Sequence, residues 1–185
     1  MLPTPEQISQ VKAILQSAFR QLVLNDKEIF STDLKQEPIV SNIEQDLNRK
    51  LHEITINHRL AYYIENIIKE IAELKEYNVD IEYNRFYNGR KELNIGAQVI
   101  IARPDIIIHS RTNQAIHPQH YLVIEAKKAA ITQDDIDKIK GFISDNNYNY
   151  LFGLTISYNG TEKTIICTLY YFNRNGIIWE NLSIS

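Results

Sequence analysis

Residues 104–127 read PDIIIHSRTNQAIHPQHYLVIEAK, and this stretch decides the fold. Asp105 follows Pro104 at the head of a strong β run, Ile106 to Ile108. Glu125-Ala126-Lys127 closes a second apolar run, Tyr121 to Ile124, and the polar segment Ser110 to His120 connects the two. Side chains two apart on a strand share a face, so Glu125 and Lys127 point the same way while Ala126 points opposite. If the two strands are hairpin neighbours, Asp105 lies beside Glu125.

Working outward, VDIEY (79–83) and NIGAQVIIARPDIIIH (94–109) also have strand character, with Asn88-Gly89 marking a turn between them. After Lys127 a helix is predicted over Thr132 to Ile143, with Thr132 as its cap and Ile136, Ile139, Phe142 and Ile143 on its buried side. Three β segments follow, YLFGLTISY (150–158), KTIICTLYYF (163–172) and GIIWENLSIS (176–185), with Asn159-Gly160 and Asn175-Gly176 as hairpin signals. The N-terminal third is helical. Thr4 caps a first helix with Pro5 at its first position, and Ile8, Val11, Ile14, Leu15, Ala18, Phe19 and Leu22 recur at helical spacing. Asn25 to Pro38 is a polar connector. A second helix opens at Ser41, which has capping-box spacing with Glu44. Its apolar positions run from Ile43 to Leu74, and drift of the buried stripe implies a kink or two helices in series.

The order is helices, an antiparallel meander, a crossover helix, then further strands: a mixed α/β sheet flanked by helices. One compact domain is expected over residues 1–185, with 1–40 as an N-terminal helical extension and 41–185 as the core. Hydrophobic residues at 44% and charged residues at 23% exclude a disordered or collagen-like chain. The single cysteine, Cys167, cannot form an internal disulfide. The N-terminus lacks a basic stretch followed by an apolar run, and no apolar run approaches the roughly 20 residues of a membrane span. A cytoplasmic protein with no membrane association is expected. The net charge of −3 argues mildly against nonspecific coating of nucleic acid, which needs many Lys and Arg against phosphate. It leaves contact with phosphates open, because a local basic rim can coexist with a negative total.

A third carboxylate is supplied by the long helix. Counted from Glu53, the separations to Leu60, Ile64, Ile67 and Ile71 all return to nearly the same helical face, so Glu53 points inward. Converging buried anions repel each other, and a divalent cation removes that conflict. Oxygen donors of this kind suit Mg²⁺ or Mn²⁺. His117 and His120 form an HxxH, but with no cysteine nearby and no third ligand they do not make a zinc site. Arg85, Arg90, Lys91, Arg103 and Arg111 cluster around the first strands and could form a rim that meets phosphates. Arg103, Lys128, Lys138 and Lys140 are the candidate nucleic-acid contacts, a solvated helix face being the competing account of Lys138 and Lys140. Asp134, Asp135 and Asp137 open a helix, where carboxylates favour the positive end of the dipole. The tyrosines interleaved with strand residues are read as sheet packing.

Pro104-Asp105 and Glu125-Ala126-Lys127, together with the helical EITINHRLAYYIENI (53–67), the strand VDIEYNR (79–85) and the helix DIDKIKGF (135–142), resemble the PD-(D/E)xK nuclease superfamily. The resemblance runs from about Glu53 to Tyr158, with Glu53 matching a helical Glu that precedes a His-Arg-Leu-Ala run, here His58 to Ala61. It implies a restriction-endonuclease-like fold and phosphodiester hydrolysis with a 5′-phosphate product. Asp105, Glu125 and the Ala126 carbonyl would hold Mg²⁺ or Mn²⁺, with Glu53 binding it directly or through water. Lys127 would orient the attacking water and stabilise the transition state. The expected substrate is DNA, and a homodimer suits cutting both strands of a duplex. The rival reading is a catalytically inactive nuclease-fold protein acting as a nucleic-acid-binding or complex-forming subunit.

Overall fold

The computed structural model describes residues 1–26, 29, 42–83, 85–86, 89–90, 92–95, 98–111, 115–159 and 164–183. Helix α1, Pro5–Asn25, starts where expected: Thr4 accepts from the Gln7 N–H, the Gln7 side chain returns a bond to the Thr4 N–H, and Pro5 occupies the first turn. Its buried face is Val11, Ile14, Leu15, Ala18, Phe19 and Leu22, with Ile8 partly buried. Helix α2, Asn42–Lys69, is a single helix rather than two in series, and it ends before Ile71 and Leu74, which pack from the turn that follows. Ser41 and most of the connector lie outside the described residues, as do the Glu44 side chain and Gly160 of the Asn159-Gly160 pair. The Asp26 carboxylate ties the end of α1 to α2, accepting two bonds from Arg59 Nε at 3.0 Å and one from the Tyr63 hydroxyl.

The strands are β1 (Asn78–Ile81), β2 (Arg85–Phe86), β3 (Gly89–Arg90), β4 (Glu92–Ile95), β5 (Gln98–Ile101), β6 (Ile106–His109), β7 (His120–Lys127), β8 (Phe152–Asn159), β9 (Thr164–Asn173) and β10 (Gly176–Leu182), with helix α3 (Gln133–Ser144) between β7 and β8. Among the described residues, six strands form one mixed sheet in the order β1-β6-β7-β8-β9-β10. The meander is antiparallel: β1 pairs with β6, and β6 with β7 in the register Ile106↔Ile124, Ile107↔Val123, Ile108↔Leu122. Helix α3 then carries the chain over, so that β7 and β8 run parallel, with Glu125 opposite Thr155 and Lys127 opposite Ser157. Strands β8, β9 and β10 continue antiparallel.

The run expected as one strand over 94–109 is divided. Strands β4 and β5 pair with each other as a separate hairpin, and Ala102-Arg103-Pro104 interrupts before β6, consistent with the missing N–H of proline. Gly89 of the Asn88-Gly89 pair lies within β3, paired with Phe86, while residues 87 and 88 lie outside the described set. At the last hairpin Asn173 pairs with Gly176, leaving Arg174-Asn175 as the loop. Gly176 has φ +122°, a conformation that side-chain-bearing residues rarely adopt.

Alternation along β6 and β7 sorts the core into two halves. Ile106, Ile108, Leu122, Ile124 and Ala126 face α1 and α2, while Ile107 and Val123 face α3 with its Ile139, Phe142 and Ile143. Both faces are covered, which explains why these strands read as continuous apolar runs. Helix α1 belongs to the same core as the sheet, so residues 5–25 are integral to it. The tyrosines largely pack as expected: Tyr121 meets Phe152 edge-on and Tyr77 at a tilt, and Tyr150 packs on His120 and Phe142. Among the described residues no helix is long and apolar enough to cross a membrane.

Candidate metal centre

Antiparallel pairing of β6 and β7 extends one residue past Ile106, where the Asp105 N–H donates to the Ile124 carbonyl at 3.1 Å. Asp105 is thereby drawn beside Glu125, and its Oδ2 accepts the Ala126 N–H at 2.7 Å. That bond orients the carboxylate against the strand that carries Glu125 and Lys127. In an extended strand the N–H and C=O of one residue leave on the same side. The Ala126 carbonyl therefore turns toward Asp105 as well, while the Ala126 side chain is buried on the opposite face.

Glu125 is only 2% exposed, on the sheet face covered by α3. Burial first, and then the neighbouring Asp105 charge, raises its pKa to about 8, against the pull of Lys138 and Lys127. Its Oε1 is buried with no hydrogen-bond partner, and its Oε2 lies 4.0 Å from Lys138 Nζ. A buried, unpaired carboxylate oxygen is costly, and native proteins seldom tolerate one without a further ligand. Asp105 is also shifted upward, chiefly by burial, with Glu53 adding to the effect and the Ala126 N–H, Lys127 and Lys138 opposing it. Burial works against the Lys127 ammonium, but Asp105, Glu125, Asp135 and Glu53 together outweigh it and hold its pKa above the ordinary value. Lys127 is therefore a cation at neutral pH.

Glu53 arrives from α2 on the other side of the sheet. Its Oε2 accepts the Lys128 N–H at 3.0 Å, just past the end of β7. Among the described residues, no three His, Cys, Asp or Glu side chains converge closely enough to hold a metal ion by themselves. The donors at hand are thus two carboxylates and a backbone carbonyl. Mg²⁺ commonly binds through one or two carboxylates and keeps several waters, so this set fits it, and the unpartnered Glu125 oxygen is the position such an ion would satisfy.

The candidate nucleic-acid contacts separate. Lys138 belongs to the centre itself, held between Glu125 and Asp135. Lys140, two residues on, projects about 200° around α3. Lys128 contributes its backbone to Glu53. Arg103 is exposed and lies 3.6 Å from Glu82. Arg111, expected on a phosphate rim, makes a two-pronged ion pair with Asp80, which also bonds His109 at 2.7 Å. Arg85, Arg90 and Lys91 carry side chains outside the described set. Of the HxxH pair, His117 is exposed, and the His120 ring packs 4.8 Å from Tyr150.

Two features escape a reading of the sequence. Asp135 caps α3 and also reaches Lys138 at 3.5 Å, and the buried Tyr158 hydroxyl donates to Asn57, one turn beyond Glu53 on α2. The i,i+3 spacing of Asp135 and Lys138 on one helix is the signal that could have found the first contact, whereas Tyr158 and Asn57 lie 101 residues apart and carry none. A cleft of about 310 Å³ lies on the same sheet face, with Thr155 and Ser157 in its floor and Ala129 to Ile131 in its wall. No protein-family model matches the chain, and no curated protein is significantly similar to it.

Proposed function

We propose that the chain is a divalent-metal-dependent nuclease of the PD-(D/E)xK type, hydrolysing phosphodiester bonds in DNA, with Asp105, Glu125 and Lys127 as its catalytic residues. The observation that carries this reading is the buried Glu125 oxygen with no partner, set beside a second carboxylate and a charged lysine. Asp105, Glu125 and the Ala126 carbonyl would hold Mg²⁺ or Mn²⁺, with Glu53, already engaged by the Lys128 N–H, as a further carboxylate toward it. A cation held there would lower the pKa of a water and offset charge on the phosphate. The Ala126 N–H keeps Asp105 in place. Lys127, held as an ammonium, orients the attacking water by donating to it and meets the negative charge that builds on the phosphate oxygens. Lys128, Lys140 and Arg103 contact the phosphate backbone away from the reacting atoms. A restriction-endonuclease-like fold, a cytoplasmic setting and a homodimer that cuts both strands complete the reading.

The second reading is a catalytically inactive subunit that binds nucleic acid or a protein partner. It is favoured by Lys138, whose ammonium already stands against the carboxylates where a cation is needed. Cleavage separates the two. Wild type is expected to cut supercoiled DNA with Mg²⁺ or Mn²⁺, to lose activity in EDTA, and to lose about 10²-fold or more on Lys127→Ala. Equal cleavage by wild type and variant places the chemistry elsewhere. No cleavage of supercoiled, linear or single-stranded DNA, or of RNA, favours the inactive subunit.

A further inference from the structure

Helix α3 brings a second lysine into the centre, and its contacts differ in kind from those of Lys127. Lys127 stands on β7 between its own neighbours. Lys138 reaches in on a long stem from the covering helix, with its Nζ 4.0 Å from Glu125 Oε2 and 3.5 Å from Asp135 Oδ1. Asp135 is fixed for this task, because its Oδ2 accepts both the Thr132 N–H at 3.0 Å and the Thr132 hydroxyl at 2.7 Å. The carboxylate oxygen left over points to Lys138. The Lys138 side chain is 32% exposed while that of Glu125 is 3% exposed, so the stem has a path to solvent that the carboxylate lacks.

Lys138 Nζ stands 4.0 Å from Glu125 Oε2, beyond hydrogen-bond length. It gives the buried Glu125 a positive neighbour but leaves Oε1 unbonded. A divalent cation between Asp105 and Glu125 would satisfy that oxygen and set two positive charges close to the ammonium, which Coulomb repulsion drives outward along the open path. We infer that Lys138 is the resident counter-cation of the metal-free centre, seated by Asp135 and displaced when a divalent cation binds. This rests on Asp105 and Glu125 being the metal ligands. Lys138 is thus a positioning residue that opposes metal binding, the reverse of the role its closeness to the carboxylates first suggests.

Calorimetric binding of Mn²⁺ and Mg²⁺ at one fixed pH to wild type, Lys138→Met, Lys138→Arg and Glu125→Gln tests it. Lys138→Met is expected to bind either ion about tenfold more tightly than wild type, within the usual range of coupling between two sites. Lys138→Arg should stay near wild type. In EDTA, Lys138→Met should melt lower than wild type, with the gap closing in saturating Mg²⁺. Lys138→Gln, polar and of similar length, repeats both measurements should methionine disturb α3. Unchanged or weaker binding by the neutral variants, with wild type binding normally, overturns the counter-cation role. No binding by wild type, or undiminished binding by Glu125→Gln, overturns the metal-centre reading itself and the counter-cation role with it.

Discussion

Glu125 sits at 2% exposure, and burial followed by the charge of Asp105 raises its pKa to about 8. In the unfolded chain an ordinary glutamate ionises near 4.3. Between those values the native state holds a proton that the unfolded state has lost, so stability falls as pH rises through this window and levels off on either side. Glu125→Gln removes the linkage. Urea denaturation in EDTA should show the variant gaining on wild type from pH 5 to pH 8, by an amount of order a few kcal/mol. A gap that does not change with pH contradicts the assigned burial. Asp105, Glu125 and Lys127 were legible in the sequence because strand alternation by itself puts the last two on one face. Lys138 was not, since its position in a helix does not say which strand residue that helix crosses. For Asp135 the favourable place at the positive end of the helix dipole accounted for the residue from sequence, which left its contact with Lys138 unseen.

Helix α3 holds Lys138 and Asp135 over Glu125, and its seat on β8 is unusually close at Gly153. A Cβ built there would stand 2.4 Å from Ile139 Cγ2 and 2.9 Å from Ile143 Cδ1. Gly153→Ala is therefore expected to push α3 off the sheet, at a cost of about 1–3 kcal/mol from overpacking. Thermal denaturation measures the cost, and because the helix carries the counter-cation, metal affinity should change with it. Unchanged stability would mean that α3 sits more loosely than these contacts require. Both N-caps, Thr4 and Thr132, were readable because capping is a local pattern. The division of residues 94–109 into three strands was not, because it depends on β4 and β5 finding each other instead of joining the main sheet.

In the whole molecule, the mixed sheet makes the centre possible. Antiparallel pairing of β6 with β7 brings Asp105 to Glu125, and the parallel step to β8 requires a crossover helix, which delivers Lys138 and Asp135 to the same end. From the opposite face α2 sends Glu53 to the Lys128 N–H. A net charge of −3 is compatible with this concentration of carboxylates, balanced locally by Lys127 and Lys138. The order of meander, crossover helix and further strands could be read from the changes of period along the chain. The convergence of α2 and α3 on one end could not, because it is set by packing across both faces. The most direct test is an anomalous-scattering map from crystals grown with Mn²⁺. The account predicts one ion bonded at about 2 Å to a carboxylate oxygen of both Asp105 and Glu125, with Lys138 turned away from them. Crystals with no manganese at this pair, or with the ion bound only elsewhere, contradict it.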